Sequence, residues 1–593
     1  MTAVRIAVLV KQVPRFEAMA LGPDGRLRRD GVDLELNPYC RRAVTAAVEL
    51  VAACGAGEVV VATMGPPAAE DCLREAIACG ADRGVLLSDP ALGGSDTLAT
   101  ASALARLVTR LGEFDLVLVG KNSVDSDTGQ VGPELAELMD WPFAGPCREL
   151  EVDFEAATFG ARCETDEGHR SIEGELPAVM SCAERLTDPA KAVPADRARV
   201  PADRITHLNA GDLGPGPWGA AGSPTAVGAV RTLAAHRDPV VLDGAVAAQV
   251  DAAIGILTAR GAFDAAAPAG FAPRTAEVAH VEVAGAREVW ALVDPARPRL
   301  AHELGQEAAR LAAVLGFGAR VVSLGPGLDA VPPGISGLTI LDADPVAADE
   351  DYARVLARLV ADAAPWGMLA PGTARGREIA SRVAAAGGHG LGGDAVELDV
   401  GADGALIAWK PAFGGSLVAA ITSKSPVQMA TVRPGVLHAS GPVAAALPPV
   451  QTVGVAATGR VRVVAQEVDD DGEALTLAHA VVCVGVGVER EEYAELSRLV
   501  EALGAELGAT RKVTDRGWMP HSRQIGITGI AVAPRLLVSI GASGKFNHAS
   551  GFRAAGSVLA VNHDTDAPVF GHCDVGITGD WHEVVPLLVR ALP

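Results

Sequence analysis

Short, uninterrupted apolar runs alternating with amphipathic stretches constrain this 593-residue chain most. A run such as Val4 to Val10 has no polar face, so it fits a strand buried on both sides. Runs separated by helical stretches give the βαβ rhythm, which builds parallel sheets covered by helices on both faces. The first series predicts a strand over 4–10, a helix over 40–53 opened by Asn37-Pro38 and a strand over 58–64 ending at Gly65-Pro66. It continues with a helix over 69–79 ending at Gly80 and a strand over 116–120. A second series predicts strands over 289–293 and 319–324 around a helix over 306–315, then an irregular β-rich stretch around 409–436. A third predicts strands over 481–484, 536–541 and 557–561, with helices over 491–503 and 581–592. The expected class is therefore α/β: three tandem units with mainly parallel, doubly wound sheets. Residues 205–280 are rich in Gly, Pro and Ala and read as extended crossing segments and a linker.

Composition narrows the function. A formal net charge of -23 argues against non-specific nucleic-acid binding, which needs a basic face. No stretch of about 20 apolar residues exists to span a membrane. The opening apolar run is too short for a secretion signal. Nine scattered cysteines contain no Cys-x-x-Cys pair, so zinc, iron-sulfur and dithiol sites are not expected. A reducing, cytoplasmic compartment is. Any electrons carried then need an organic cofactor.

The densest chemistry lies between Gly508 and Asp580. A strand runs into Gly541-Ala-Ser-Gly-Lys-Phe-Asn-His548, where Gly541 and Gly544 allow backbone N–H groups to approach a phosphate and Ser543 adds a hydroxyl. The spacing and the following Ser/Thr of a P-loop are missing, which argues against a nucleotide triphosphatase. Asn562-His-Asp564 after the next strand reads as an adenine or ribose contact, or as an ordinary turn; periodicity alone favours the turn. The loop Gln524-Ile-Gly526-Ile-Thr528-Gly529 and the lone His548 have structural readings of their own.

Taken together, these segments resemble the FAD-binding domain of the electron transfer flavoprotein alpha subunit. Gly508-Ala-Thr510-Arg511 is similar to the family's Gly-Ala-Ser-Arg, and residues 524–529 to its Gln-Val-Gly-Gln-Thr-Gly. Residues 540–548 are similar to its Gly-Ile-Ser-Gly-Ala-Ile-Gln-His, and 560–570 to its Ala-Ile-Asn-Lys-Asp-x-x-Ala-Pro-Ile-Phe. The resemblance implies that Arg511 lies against the isoalloxazine, Thr528 bonds near N5 and His548 donates to the O2 edge. It implies that Thr510 and Ser543 meet the pyrophosphate, and that Asn562, Asp564 and Asp574 surround the adenosine. Two positions depart from the family: Val486 stands where it has an arginine, with Arg490 nearby, and Ile527 replaces a Gln.

The first half resembles the beta subunit of the same family. Asn37-Pro-Tyr-Cys, Ala78-Cys-Gly-Ala-Asp-Arg-Gly84 and Gly120-Lys-Asn-Ser-Val-Asp125-Ser-Asp127 carry the likeness. It implies a buried AMP around Asn37, Met64, Asp127, Gly129, Gln130 and Val131, with Gly129 and Val131 replacing an Asn and a Thr. Asp125 and Asp127 suggest a metal, but no further ligand cluster supports one. Phe16 falls where a Tyr reaches the flavin ring, and Val193 lies in the loop by which the family docks dehydrogenases. Residues 286–436 resemble the alpha subunit's first domain, through the runs at 409–416 and 428–435.

The expected organisation is a beta-like domain over 1–262, a linker over 263–285, an alpha-like first domain over 286–447 and an FAD-binding domain over 448–593. The implied activity is electron transfer through FAD, from dehydrogenases to an acceptor such as a quinone-linked oxidoreductase. It implies a redox carrier rather than a metabolite-transforming enzyme, and no Ser/His/Asp or Cys/His arrangement points to hydrolysis. The alternatives are a bifurcating protein with a second FAD and NADH as donor, and a nucleotide-binding sensor without redox turnover.

Overall fold

A computed structural model describes residues 3–15, 31–232, 237–264, 287–412, 417–437, 446–469, 472–526 and 529–593. Three large sheets dominate, and the expected α/β class with mainly parallel strands is what the chain adopts. In the first, the apolar run Val4–Leu9 lies between Gly57–Met64 and Leu116–Gly120, parallel to both. Its residues are buried on both faces because helices cover the sheet from either side. One of these, Pro38–Cys54, starts after Asn37 with proline in its first turn and stops at Gly55 in the left-handed region. The far end of this sheet turns antiparallel through Phe143–Asp153, Thr158–Glu164 and Gly168–Glu175.

The middle sheet has seven strands, all parallel, with Glu288–Val293 between Gly318–Ser323 and Gly367–Pro371. The stretch read as irregular resolves into an antiparallel pair, Leu406–Ala412 with Leu417–Ser423, and the buried strand Gln428–Val432. The last sheet has six parallel strands. Its first strand in the helix-flanked series, Ala480–Val484, lies between Glu506–Ala509 and Leu536–Ile540. The chain therefore reverses its direction of winding at Ala480–Val484, and a crevice opens beyond the carboxyl ends on either side of it.

The units exchange strands. Thr225–Thr232 adds to Leu417–Ser423, and Val240–Leu242 adds to Val575–Thr578 in the last sheet, followed by the helix Val246–Ala259. In return, Val461–Val468 pairs antiparallel with Gly168–Glu175 of the first sheet. Most of the linker expected over 263–285 lies outside the described residues. Ion pairs join the first and middle sheets: Arg382, 1% exposed, meets Glu137 at 3.1 Å, and Arg170 meets Asp349 at 2.7 Å. Among the described residues no helix is long and apolar enough to cross a membrane, and no group of three or more His, Cys, Asp or Glu side chains could hold a metal. Asp125 bonds Lys11 at 2.8 Å instead.

Candidate functional site

The crevice of the last sheet is set by glycine against glycine. A methyl group built on Gly485 would lie 2.2 Å from the Gly541 carbonyl oxygen and 2.4 Å from the Ala542 Cα. Gly541 itself has φ +60°, which a side chain there would strain. The Gly485 N–H donates to the Ile540 carbonyl at 2.9 Å, and the Gly487 N–H to that of Gly541 at 3.1 Å. Two strand ends thus meet with no side chain between them. Val486 turns instead to the hydrophobic cluster behind the sheet, and Arg490 is exposed in a short helical turn.

Around this edge the sequence-derived residues converge. The Thr510 N–H donates to the Val484 carbonyl at 2.9 Å, which seats Thr510 and Arg511 beside Gly485. Arg511 reaches across to Glu184 of the first half at 2.6 Å and also pairs with Asp515. Glu184 lies far off in sequence, and nothing in the sequence marks it as the partner. Ser543 is exposed, and its carbonyl accepts from the Val569 N–H at 3.0 Å. Gly544, at φ +67°, leaves room for the same valine. Asn562 is a brace: its Nδ2 donates to the Ala542 carbonyl at 2.9 Å, and its Oδ1 accepts from the Asp564 N–H at 3.0 Å. Asp564 is exposed and caps the Asp566 N–H, the turn that periodicity favours.

The second loop is tied to the same edge. The Ile525 N–H donates to the Ala509 carbonyl at 2.9 Å. Gln524 is buried, with its Oε1 accepting from the Thr514 hydroxyl at 2.7 Å. A methyl on Gly529 would lie 2.2 Å from the Gln524 carbonyl oxygen, and Gly526 has φ +144°. Ile527 and Thr528 lie outside the described residues, as does Phe16. His548 is buried with its Nδ1 2.9 Å from the Ile525 carbonyl, so that nitrogen carries the proton and donates. Nε2 then accepts from the Cys483 thiol at 3.6 Å. Burial pushes this ring down to about 4, against the pull of the Ile525 carbonyl, so it is neutral.

Asp574 does not join the site. It precedes the strand Val575–Thr578 and so lies at the amino edge of the sheet, a strand's length from the crevice. There its carboxylate pairs with Arg237 and, at 2.8 Å, with Arg260. The acid at the carboxyl edge is Asp580, which caps the closing helix Trp581–Ala591 next to Gly579, whose N–H donates to the Asn562 carbonyl at 3.1 Å. Its signal was present in the sequence: an apolar run, Gly, Asp, then an amphipathic helix.

The first half gathers its own set. Asn37 is fully buried and clamps the following loop, its Nδ2 donating to the Asn122 carbonyl at 2.8 Å and its Oδ1 accepting from the Val124 N–H at 3.2 Å. Asp127 and Gly129 have φ of 46° and 63°, and the Asp127 N–H donates back to the Ser123 carbonyl at 2.7 Å, a tight loop that leads into the helix Val131–Met139. Met64 ends a neighbouring strand, half-buried. A crevice open to solvent runs from Gly129 and Arg377 past Lys121, Glu164 and His521 to Gly529 and Ile530. Burial pushes His521 down to about 4 despite the nearby Glu164. Val193 is 59% exposed, just before the short helix Pro194–Ala198.

Glu134 lies behind the loop, fully buried. Burial pushes its carboxyl up to about 8, against a hydrogen bond from Thr97. The Thr97 hydroxyl is 3.0 Å from both Gln130 Oε1 and Glu134 Oε1, and one hydrogen cannot serve both. A protonated Glu134 resolves this by donating to Thr97. The folded chain thus holds a proton that the unfolded chain releases in the ordinary carboxylate range. This contribution is complete below that range and is lost as pH rises toward 8. Glu134→Gln is expected to melt above wild type at about pH 9, with the gap closing at about pH 5. Parallel melting curves across that range would contradict the buried, protonated state.

The fold and its crevice define an α/β protein with a dinucleotide-type edge site. The comparisons with known proteins refine that class. The family model described as electron transfer flavoprotein domain matches residues 24–205 and 289–458. The one described as electron transfer flavoprotein FAD-binding domain matches 474–553. The chain is 36% identical over 226 residues to the caffeyl-CoA reductase-Etf complex subunit CarD of Acetobacterium woodii, across 38% of this chain and 86% of that protein. It is 38% identical over 264 residues to FixB of Bradyrhizobium diazoefficiens, across 43% and 72%. It is 35% identical over 248 residues to the electron transfer flavoprotein subunit beta of Megasphaera elsdenii, across 40% and 90%. This chain belongs to the electron transfer flavoprotein family, with a beta-like half and an alpha-like half fused in that order.

Proposed function

We propose that the chain carries electrons through one FAD at the carboxyl edge of its last sheet, taking them from dehydrogenases and passing them to an acceptor such as a quinone-linked oxidoreductase. The contact of Gly485 with Gly541 carries this reading, because it clears a cradle at the edge where the winding of the last sheet reverses. The residues fit the group. Ser539, 1% exposed beneath that edge, has a hydroxyl with no hydrogen-bond partner among the described residues, which a polar ligand would satisfy. Bound FAD supplies the one- and two-electron chemistry, and the chain's residues bind, orient and tune it.

In this reading Thr510, Gly526, Gly529, Gly541, Ser543 and Gly544 line the cofactor with backbone and hydroxyl groups. Gln524 and Asn562 brace the loops, and Asp580 takes the place expected of Asp574. His548 forms a neutral wall rather than a donor, since its one proton is used within the protein. Arg511 supplies the positive charge. Arg511→Ala is expected to lower the midpoint potential of bound flavin by several tens of millivolts, because a cation favours the electron-rich form. An unchanged potential in a spectroelectrochemical titration would remove Arg511 from that role. The exposed Val193 is the proposed apolar anchor for a dehydrogenase.

AMP is the proposed ligand of the loop over Asp127, Gly129, Gln130 and Val131, with Asn37 and Met64 beside it. A second reading has support in the continuous crevice from Gly129 to Gly529 and in a relative named for a reductase complex: a second flavin in place of AMP. Flavin released per chain separates them, since two would defeat the simple carrier.

A further inference from the structure

The AMP-like loop belongs to the first half, yet two of the cations beside it, Lys410 and Arg377, come from the second. Lys410, on the strand Leu406–Ala412, places Nζ 3.4 Å from the Asp127 carbonyl oxygen. Among the described residues that long contact is the one hydrogen bond this ammonium makes with its three donors. Gln130 is 1% exposed, and its Nε2 has no hydrogen-bond partner among the described residues. These two nitrogens converge: a methyl built on Gly393 would sit 3.0 Å from Gln130 Nε2 and 3.6 Å from Lys410 Nζ. The glycine leaves that space open. On the other side of the loop, a methyl on Gly129 would lie 3.1 Å from Arg377 Cδ. Arg377 gives its terminal nitrogen to Asp394 at 2.9 Å and to the Gly372 carbonyl at 3.1 Å. Its buried Nε has no partner among the described residues.

Cations gather at the same place. Arg377, Arg433 and Lys410 surround Asp394, with Asp127 and Asp166 as further carboxylates near them. The group lies where charge is poorly screened. Idle donors, these cations, left-handed residues at 127 and 129 and the N-terminus of Val131–Met139 lie around one loop.

We infer that Lys410 and Arg377 of the alpha-like half hold the phosphate of the nucleotide bound by the Asp127–Val131 loop of the beta-like half. This rests on the AMP reading and goes beyond it: the nucleotide becomes a clamp between the halves rather than a filler inside one of them. The ligand class is a nucleoside monophosphate, recognised through its phosphate dianion.

The test is calorimetric titration of the full chain, FAD-loaded and stripped of nucleotide, with AMP and with adenosine. In Lys410→Met and Arg377→Met the AMP affinity is expected to fall at least about tenfold, the loss of one charged hydrogen bond. Adenosine affinity should stay within about twofold, since it has no phosphate for either cation to meet. A merely structural role would lower both ligands alike. Lys410→Met leaves the Arg377–Asp394 pair intact, so one variant remains informative if the other folds poorly. Variants that bind AMP as wild type does, or lose adenosine equally, would overturn the clamp and leave the AMP site standing. A wild-type chain that binds neither ligand would overturn the AMP reading and the clamp with it.

Discussion

Gly485→Ala is expected to give a chain that retains little FAD. The added methyl would meet backbone on its far side, 2.2 Å from the Gly541 oxygen, 2.4 Å from the Ala542 Cα and 2.6 Å from its nitrogen. Backbone cannot swing aside as a side chain does, and the Gly485 N–H holds the strands together at the Ile540 carbonyl. The strand ends must part by about an ångström, an overpacking cost of about 1–3 kcal/mol. The displaced segment is Gly541 to Gly544, the loop proposed to cradle the cofactor. FAD per chain is therefore expected to drop to about a tenth or less of wild type, a tenfold change costing only about 1.4 kcal/mol. Val486→Ala is the control, because that side chain packs behind the sheet and should cost stability without emptying the site. Flavin absorbance per chain and a melting curve read both variants. Equal FAD content in Gly485→Ala would place the cofactor elsewhere.

Asp574→Asn should show the opposite pattern: a large loss of stability with cofactor content preserved in the folded fraction. The carboxylate pairs with Arg237, whose side chain is 8% exposed, and with the more exposed Arg260. It also accepts from the Val558 N–H at 2.8 Å. The amide can keep that last bond but leaves a buried guanidinium uncompensated, which costs about 3–5 kcal/mol. In a unit of this size that corresponds to a fall of roughly 6–20 °C in melting temperature. Arg237 belongs to the segment that crosses from the first half and adds Val240–Leu242 to the last sheet, so the loss should loosen that arm first. A stable variant that binds FAD weakly would return Asp574 to the cofactor site.

The contrast between Asp574 and Asp580 shows where the sequence stops informing. Both acids flank the same short strand, and a motif match in one dimension does not say which end faces the crevice. Strand direction decides it, and direction becomes visible only with the sheet assembled. The strands themselves were plain in the sequence, because a run buried on two faces cannot hide its composition. The run expected over 481–484 is the strand Ala480–Val484, and that over 536–541 is Leu536–Ile540. The exchanged strands were not. Val461–Val468 is largely exposed along one edge, so its pairing with Gly168–Glu175 leaves no buried signature. Val240–Leu242 is likewise half-exposed at an edge and only three residues long. The Arg511–Glu184 pair and the approach of Lys410 to Asp127 join distant parts of the chain through single side chains, and no periodicity encodes such contacts. Glycines were readable as loops, but not as mutual partners: Gly485 and Gly541 mean little until their backbones touch.

Electron carriage by this chain is tested most directly by how much FAD the purified 593-residue chain holds and whether that FAD takes electrons. Released FAD should come to one per chain after reconstitution, with a visible flavin spectrum that dithionite bleaches and air restores. A chain that stays colourless after exposure to excess FAD would contradict it.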